Sequence, residues 1–437
     1  MTPSQALDSH LDSFRRLDGS GPATVSALRE RAMTRFAEAG FPTPALEDWK
    51  YTNIMPLAGQ AFRLATEDGA RGESIAAGAR LDIGCELVFV NGRFTPALSA
   101  LGALPQGVRV GSLADGLRAY PELIEPHLGR YAPFEQSGES LTALNTAFIR
   151  DGAVIYVPFG VTLEAPVHCL FVSVATGGAV VTHPRTLIIA GEGSALTVVE
   201  QYVGEGAYWT NAVTEAIVGA DATVVHHTLQ REAEQATHVG VVAVQQAAGS
   251  AFHSHAVSLG AGLARTEIST RLDAPGATCT FDGLYLARGM QHVDHHTSID
   301  HRQPRGTSRE LYKGILDDRA TGVFNGKVFV RPHAQQSDAQ QMNKNLLLSD
   351  DAQIDTKPQL EILADDVKCS HGATIGQLDE EAIFYLRSRG LDAAAARVML
   401  VFAFANEIIA KIGIDPLRAR LEAMLAERLL AHPEDRP

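Results

Sequence analysis

Hydrophobic positions recur at helical spacing near both ends of the chain and at strand spacing through its middle. From Ala23 to Ala39 the apolar residues Val25, Leu28, Ala32, Met33 and Phe36 share one helical face, and Gly40 and Pro42 stop the run. Between Leu81 and Gly111 the runs shorten to strand length, among them Leu87-Val88-Phe89-Val90, which leads into the tight-turn pair Asn91-Gly92. Ser112 to Arg150 reads as helical or irregular. From Gly152 to about Ile375, short runs of Val, Thr, Ile and Leu alternate with glycine-bearing corners. Helix then returns. Asp379-Glu380-Glu381 suits a helix N-terminus, and Ile383, Phe384 and Leu386 open its apolar face. A second run extends from Asp392 through Ile409, with Phe402, Phe404 and Ala405 as a docking surface, and a third from Leu417 to Leu430.

The middle region has a period. Runs begin near Ser194, Asp221, Ser250, Leu263 and Ala277, behind Gly193, Gly219, Gly249, Gly262 and Gly276, in steps of 27, 29, 13 and 14 residues. One step near 27 equals two near 13, as expected if each turn of a coil supplies two strands and two corners. No helix-length segment separates the strands, which disfavours a βαβ sheet; a β-sandwich is the alternative. The chain is therefore expected to be mainly β, a solenoid over 151–376. An N-terminal helical region over 1–80 and a mixed strand and helix lead-in over 81–150 precede it. The C-terminal helical region, 377–437, would pack on the solenoid end or bind another subunit. A solenoid must protect its end strands, and an uncovered edge invites a partner to continue the sheet.

Composition narrows the function classes. With 437 residues, 45% hydrophobic and 20% charged, the chain reads as an ordinary folded protein able to bury a large core. Thirty-seven basic against 51 acidic side chains give a net charge of -14, which argues against a general nucleic-acid binder and against attraction to anionic lipid. The first thirty residues lack a signal-peptide pattern, and no apolar stretch reaches bilayer-spanning length. Cys85, Cys169, Cys279 and Cys369 are far apart, so free thiols in a reducing cytoplasm are expected.

Cys369-Ser370-His371 is the most suggestive chemistry. On an extended segment Val367–His371, Cys369 and His371 point to one face. Thiol and imidazole together suit a soft or borderline metal or an iron–sulfur species, although two ligands do not close a site. A buried cysteine beside a hydrogen-bonded histidine is the alternative. Nine of the sixteen histidines lie between His226 and His301, including His226-His227, His253-x-His255 and His292-x-x-His295-His296. Asp282 or Asp294 could orient one of them. None fits a specific metal motif, and stacked turns make structural polar ladders the simpler expectation. Gly322-x-x-x-Gly326-Lys327 is too short for a phosphate loop and Val328 stands where Ser or Thr would hold magnesium. Asp282, Asp294, Asp300, Asp317 and Asp318 keep a solenoid hydrolase open as a second class, with corner hydrogen bonding their simpler role. Glu47-Asp48-Trp49-Lys50-Tyr51-Thr52 reads as a packing anchor against the next domain.

Several blocks resemble one family. Phe324-Asn325-Gly326-Lys327-Val328, Ala339-Gln340-Gln341-Met342-Asn343-Lys344-Asn345-Leu346-Leu347-Leu348-Ser349-Asp350 and Pro358 through Thr374, which contains Asp365-Asp366-Val367-Lys368-Cys369-Ser370-His371-Gly372, are similar to the SufB/SufD family of iron–sulfur cluster assembly proteins. The likeness is nearer to its SufD-type members. Asp379-Glu380-Glu381 with Phe384-Tyr385-Leu386 and Arg389-Gly390 extends it, as does Glu47 through Thr52. The resemblance implies a right-handed parallel β-helix flanked by helices. It implies a non-enzymatic scaffold that pairs with a SufB-like subunit, with two copies of a SufC-like ATPase docked on the C-terminal helices of the pair. It implies a homodimer when the chain is alone. It also implies that His371, and less strongly Cys369, faces SufB beside a nascent iron–sulfur cluster, while SufB-type members carry the principal cysteine. No cofactor would be bound by this chain alone, and the family's reduced flavin belongs to the SufB-containing complex. The other function classes are a stand-alone β-helix carbohydrate enzyme and a purely structural interaction module.

Overall fold

The computed structural model describes residues 3–17, 22–65 and 69–430. The outermost parts of the expected terminal regions, 1–2 and 431–437, lie outside the described residues.

Two sheets, of 11 and 10 strands, face each other along a parallel β-solenoid of about eight turns. Sheet A runs from Gly152–Val157 through Leu263–Leu272, His292–His301 and Thr321–Val330 to Gln353–Ile362. Sheet B runs from Cys85–Val90 through Thr223–Arg231, Ala251–Ser258, Thr278–Ala287, Thr307–Leu316 and Asp338–Leu347 to Lys368–Gly376. Successive strands in the chain alternate between the sheets, so each strand pairs with the one two elements away. Ala251 pairs with Thr278 and Thr278 with Thr307, steps of 27 and 29 residues. The two-strand turn expected from the spacing is what forms, and the β-sandwich alternative falls.

The run Leu87–Val90 already belongs to the solenoid, because Cys85–Val90 pairs in parallel with Val167–Val174. Asn91 and Gly92 both have positive φ, 51° and 76°, and return the chain antiparallel into Arg93–Phe94, as a type I′ turn requires. Most corners that lead from sheet A to sheet B carry one residue in the left-handed region. Glycine fills it at Gly193, Gly249 and Gly276, but Asp221, Arg305 and Gln336 hold the same place in other turns, with φ from 54° to 62°. These three tolerate a strained conformation that glycine adopts freely.

Inside the coil, alternate residues of both sheets interdigitate. Phe89, Phe171 and Tyr202, in register across three turns, stack at 5.0 Å centroid spacing. Each fully buried phenylalanine such as Phe252 or Phe281 contributes roughly 1.5–3 kcal/mol through the water-exposed area it removes.

Most of the N-terminal helices cover the outer face of sheet A, while Gly69–Ala79 packs on outward residues of sheet B such as Val88 and Leu170. Helix Ala23–Ala39 packs with Ser140–Ala147 around Trp209. The Glu47–Thr52 segment is the anchor expected of it. Trp49 is buried, its Nε1 donates to the Gly138 carbonyl at 3.0 Å, and the Arg265 guanidinium lies 4.0 Å over its ring. Thr52 donates to Asp294 at 2.5 Å, and Lys327 and Lys357 pair with Asp48 and Glu47.

Two of the C-terminal helices lie elsewhere than on the solenoid end. Ala393–Ile409 and Asp415–Leu430 cover outward residues of sheet B, including Leu229, Val257, Leu284 and Ile315. That face is apolar along its length, so the helices find more hydrophobic contact there than on one terminal turn. Lys411 pairs with Asp282 at 2.6 Å and Lys313 donates to the Phe404 carbonyl at 2.8 Å, pinning the second helix. Asp379 and Asp392 cap the first two helices, accepting from the amides of Glu381 and Ala395 at 2.9 and 2.7 Å. Among the described residues no helix is long and apolar enough to cross a membrane.

Candidate functional site

The two final strands, Gln353–Ile362 and Lys368–Gly376, are the outermost members of their sheets. Each pairs on one side only, with Thr321–Val330 and Asp338–Leu347, which leaves a row of backbone donors and acceptors along the other side. Proline is tolerated in a sheet mainly on such an edge, and Pro358 occupies one. Leu363 and Ile375 are about half exposed, at 52% and 51%. Every earlier turn buries its inward residues, so this end of the coil is a cross-section of the core left open.

Cys369 and His371 sit there. Their strand is extended as expected, and register pairs Cys369 with Ala339 and His371 with Gln341. Ala339 and Gln341 point inward and are buried, so Cys369 and His371 occupy the inward positions of a turn that no described residue covers. Cys369 is half-buried against the end of the core, and His371 is exposed. Burial pushes the Cys369 thiol up, and the Asp338 carboxylate adds to that shift. The buried-cysteine alternative therefore describes neither residue. Among the described residues no group of three or more histidine, cysteine or carboxylate side chains is placed to hold a metal ion. Thiol and imidazole donors suit a soft metal or an iron–sulfur species, but here they make half a ligand set opening to solvent.

Directly beneath lies a polar column. Gln341 donates from Nε2 to Glu310 Oε2 at 2.7 Å, and Glu310, Gln341 and His371 share one register line through three turns. Beside it Tyr285 donates to Asn345 at 2.5 Å, Asn345 to Asn343 at 2.6 Å, and Thr356 to Asn343 at 2.8 Å. Glu310 is fully enclosed, and burial pushes its carboxyl up to about 7, with Thr297 and Gln341 opposing and Asp282 adding to the shift. Gly326 makes room across the lumen, because a Cβ there would come within 2.1 Å of Gln341 Nε2. These residues went unremarked as site residues. The polar alternation Gln341, Asn343, Asn345 at inward spacing was the signal that could have found them.

The histidine-rich region does not converge. His226, His238, His295 and His301 point into the lumen, whereas His227 and His255 face the C-terminal helices and His292 and His296 the N-terminal anchor. Most are engaged. His226 meets Glu200 at 2.8 Å, His238 meets Glu232 at 2.8 Å, His296 meets Asp294 at 3.0 Å and His301 meets Ser308 at 2.9 Å. His227 and His255 stack at 4.7 Å, with burial lowering them to about 3 and about 4. Burial raises the cost of an Asp294 carboxylate, but Arg265 and His296 outweigh it and hold that group well below its ordinary range.

The other carboxylates are likewise structural. Asp300 pairs with Arg302 at 2.7 Å and Arg331 at 2.8 Å. Asp317 and Asp318 accept from backbone amides at corners, at 2.8 and 2.9 Å. Gly322 through Lys327 runs within a strand, so it forms no phosphate loop.

Comparison with known proteins points the same way along most of the chain. Residues 171–404 match the family model for the SufBD core domain of the SUF system of FeS cluster assembly, and residues 5–169 match the model for the SufBD protein N-terminal region. An iron–sulfur cluster assembly SufBD family protein of Synechocystis sp. is 32% identical over 97% of this chain and 96% of its own length. The iron–sulfur cluster assembly protein SufD of Escherichia coli is 32% identical over 92% of this chain and 93% of its own. The chloroplastic protein ABCI7 of Arabidopsis thaliana is 35% identical over 70% of this chain and 66% of its own.

Proposed function

The chain belongs to the SufBD family of the SUF iron–sulfur cluster assembly system, and from that premise we propose that it is a cytoplasmic, non-enzymatic scaffold subunit whose open terminal turn is one half of an intersubunit cluster-assembly site. A SufB-like subunit would continue sheets A and B from Gln353–Ile362 and Lys368–Gly376. His371, and secondarily Cys369, would then face ligands brought by that partner, which complete the set that two local donors cannot. The nascent cluster is cargo built at this joint. The observation that carries the reading is a soft-metal donor pair at inward positions of a terminal turn whose core no described residue covers.

A SufC-like ATPase would dock on the C-terminal helices. What supports this is the exposure there of Phe384, Tyr385 and Met399, while Ala393–Ile409, which carries Met399 and packs against the helix of Phe384 and Tyr385, spends its opposite face on sheet B. Nucleotide chemistry would come from that subunit, and its motion could reshape the joint. A homodimer through the same open end fits the chain when the partner is absent. His371→Ala should lower cluster content of the co-purified complex while partner retention stays unchanged; undiminished content would sink the assignment of His371.

A further inference from the structure

The exposed imidazole of His371 has no protein partner that fixes it, yet a fully buried acceptor without a partner lies one turn below. Gln341 is 2% exposed, and its Oε1 meets no donor. An orphaned buried carbonyl oxygen is uncommon in a native interior and calls for an explanation. The rest of that side chain is held. Glu310 takes its Nε2 at 2.7 Å, and the absent Cβ of Gly326 leaves a slot of the width the amide needs. His371 is the register neighbour of Gln341 on the adjoining parallel strand, about 4.8 Å away at the backbone, with both side chains on the inward face.

Neutral imidazole carries one N–H and one lone pair, and a ligating histidine is commonly oriented by a hydrogen bond from the N–H to the protein. We infer that Gln341 is the positioning residue of the cluster joint: its Oε1 accepts the ring N–H of His371, which fixes one tautomer and turns the remaining nitrogen lone pair out of the open end toward the partner. Gln341 touches neither the cargo nor the partner; it acts through His371. The column Glu310–Gln341–His371 thereby connects the rigid lumen to a side chain that otherwise turns freely in solvent. This rests on the reading of His371 as the ligand, but the orientation of the ring is a property of the chain alone.

The test uses the full chain labelled with 15N at histidine, without metal or partner, above the histidine titration range. Two-bond nitrogen–proton correlations report the tautomer ratio of each imidazole, and His371→Ala identifies the resonances of His371. Gln341→Met, of similar length but without the acceptor, should shift the His371 ratio by about fivefold, the bias of a hydrogen bond worth about 1 kcal/mol. Should Gln341→Met fail to fold, Gly326→Ala crowds the same amide and should move the ratio in the same direction. An unchanged ratio in the folded variant overturns the inference. Because the readout needs no cluster, a bias that is lost as expected while His371→Ala leaves cluster content intact would preserve the role of Gln341 and refute the ligand assignment instead.

Discussion

Glu310→Gln replaces a carboxyl by an uncharged group of the same shape inside the lumen, and the consequence depends on pH. Glu310 is fully enclosed with its value raised from 4.5 to about 7. Between those limits the native chain holds a proton that the unfolded chain has released, so stability is fully present below the lower value and is lost as pH rises through the window. Below it both states are protonated and above it both are ionised, which makes the dependence flat outside. Linkage puts the loss at about 2.5 kcal/mol between about pH 5 and about pH 8. Gln at this position does not titrate, so the variant should gain that amount on the wild type over the same interval. Urea unfolding at both pH values measures it, since every other titrating group is common to the two chains and cancels in the difference. An offset between variant and wild type that is the same at both pH values would refute the reasoning, and with it the assignment of Glu310 as a carboxyl forced to share a dry lumen.

Two further outcomes follow from the packing around the site. Arg265→Leu removes the main partner of an enclosed Asp294 carboxylate and should cost about 3–5 kcal/mol, read as a lowered urea midpoint; a loss below about 1 kcal/mol would mean that Thr52 and His296 suffice. Phe384→Glu alters a side chain that is 72% exposed and should change stability by less than about 0.5 kcal/mol. It should nevertheless abolish capture of the SufC-like ATPase in a two-component binding assay, and intact capture would remove that helix from the docking surface.

Much of the architecture could be read from the chain because its signals are local. Ala23–Ala39, the helix start at Asp379-Glu380-Glu381 and the Asn91-Gly92 turn need only neighbouring residues to be recognised. The solenoid period was visible where glycine occupies the corner, at Gly193, Gly249 and Gly276, and faded where Asp221, Arg305 and Gln336 accept positive φ without being glycine. Placement of the C-terminal helices was not legible. Their apolar faces fit any hydrophobic surface, and the surface they chose is assembled from residues as distant as Leu229 and Ile315. Cys369 and His371 were legible as a pair, since strand spacing alone puts them on one face. That this face is the inside of an uncovered turn, with Gln341 and Glu310 below it, depends on strand register across about thirty residues per turn. A one-residue slip would have turned every one of these side chains outward.

The most direct measurement is a structure of this chain assembled with a SufB-like subunit and loaded with iron and sulfide. The partner's strands should continue both sheets from Gln353–Ile362 and Lys368–Gly376, with His371 directed at the cluster across the joint. A terminal turn still open to solvent, with the cluster bound elsewhere in the assembly, would contradict the proposed site.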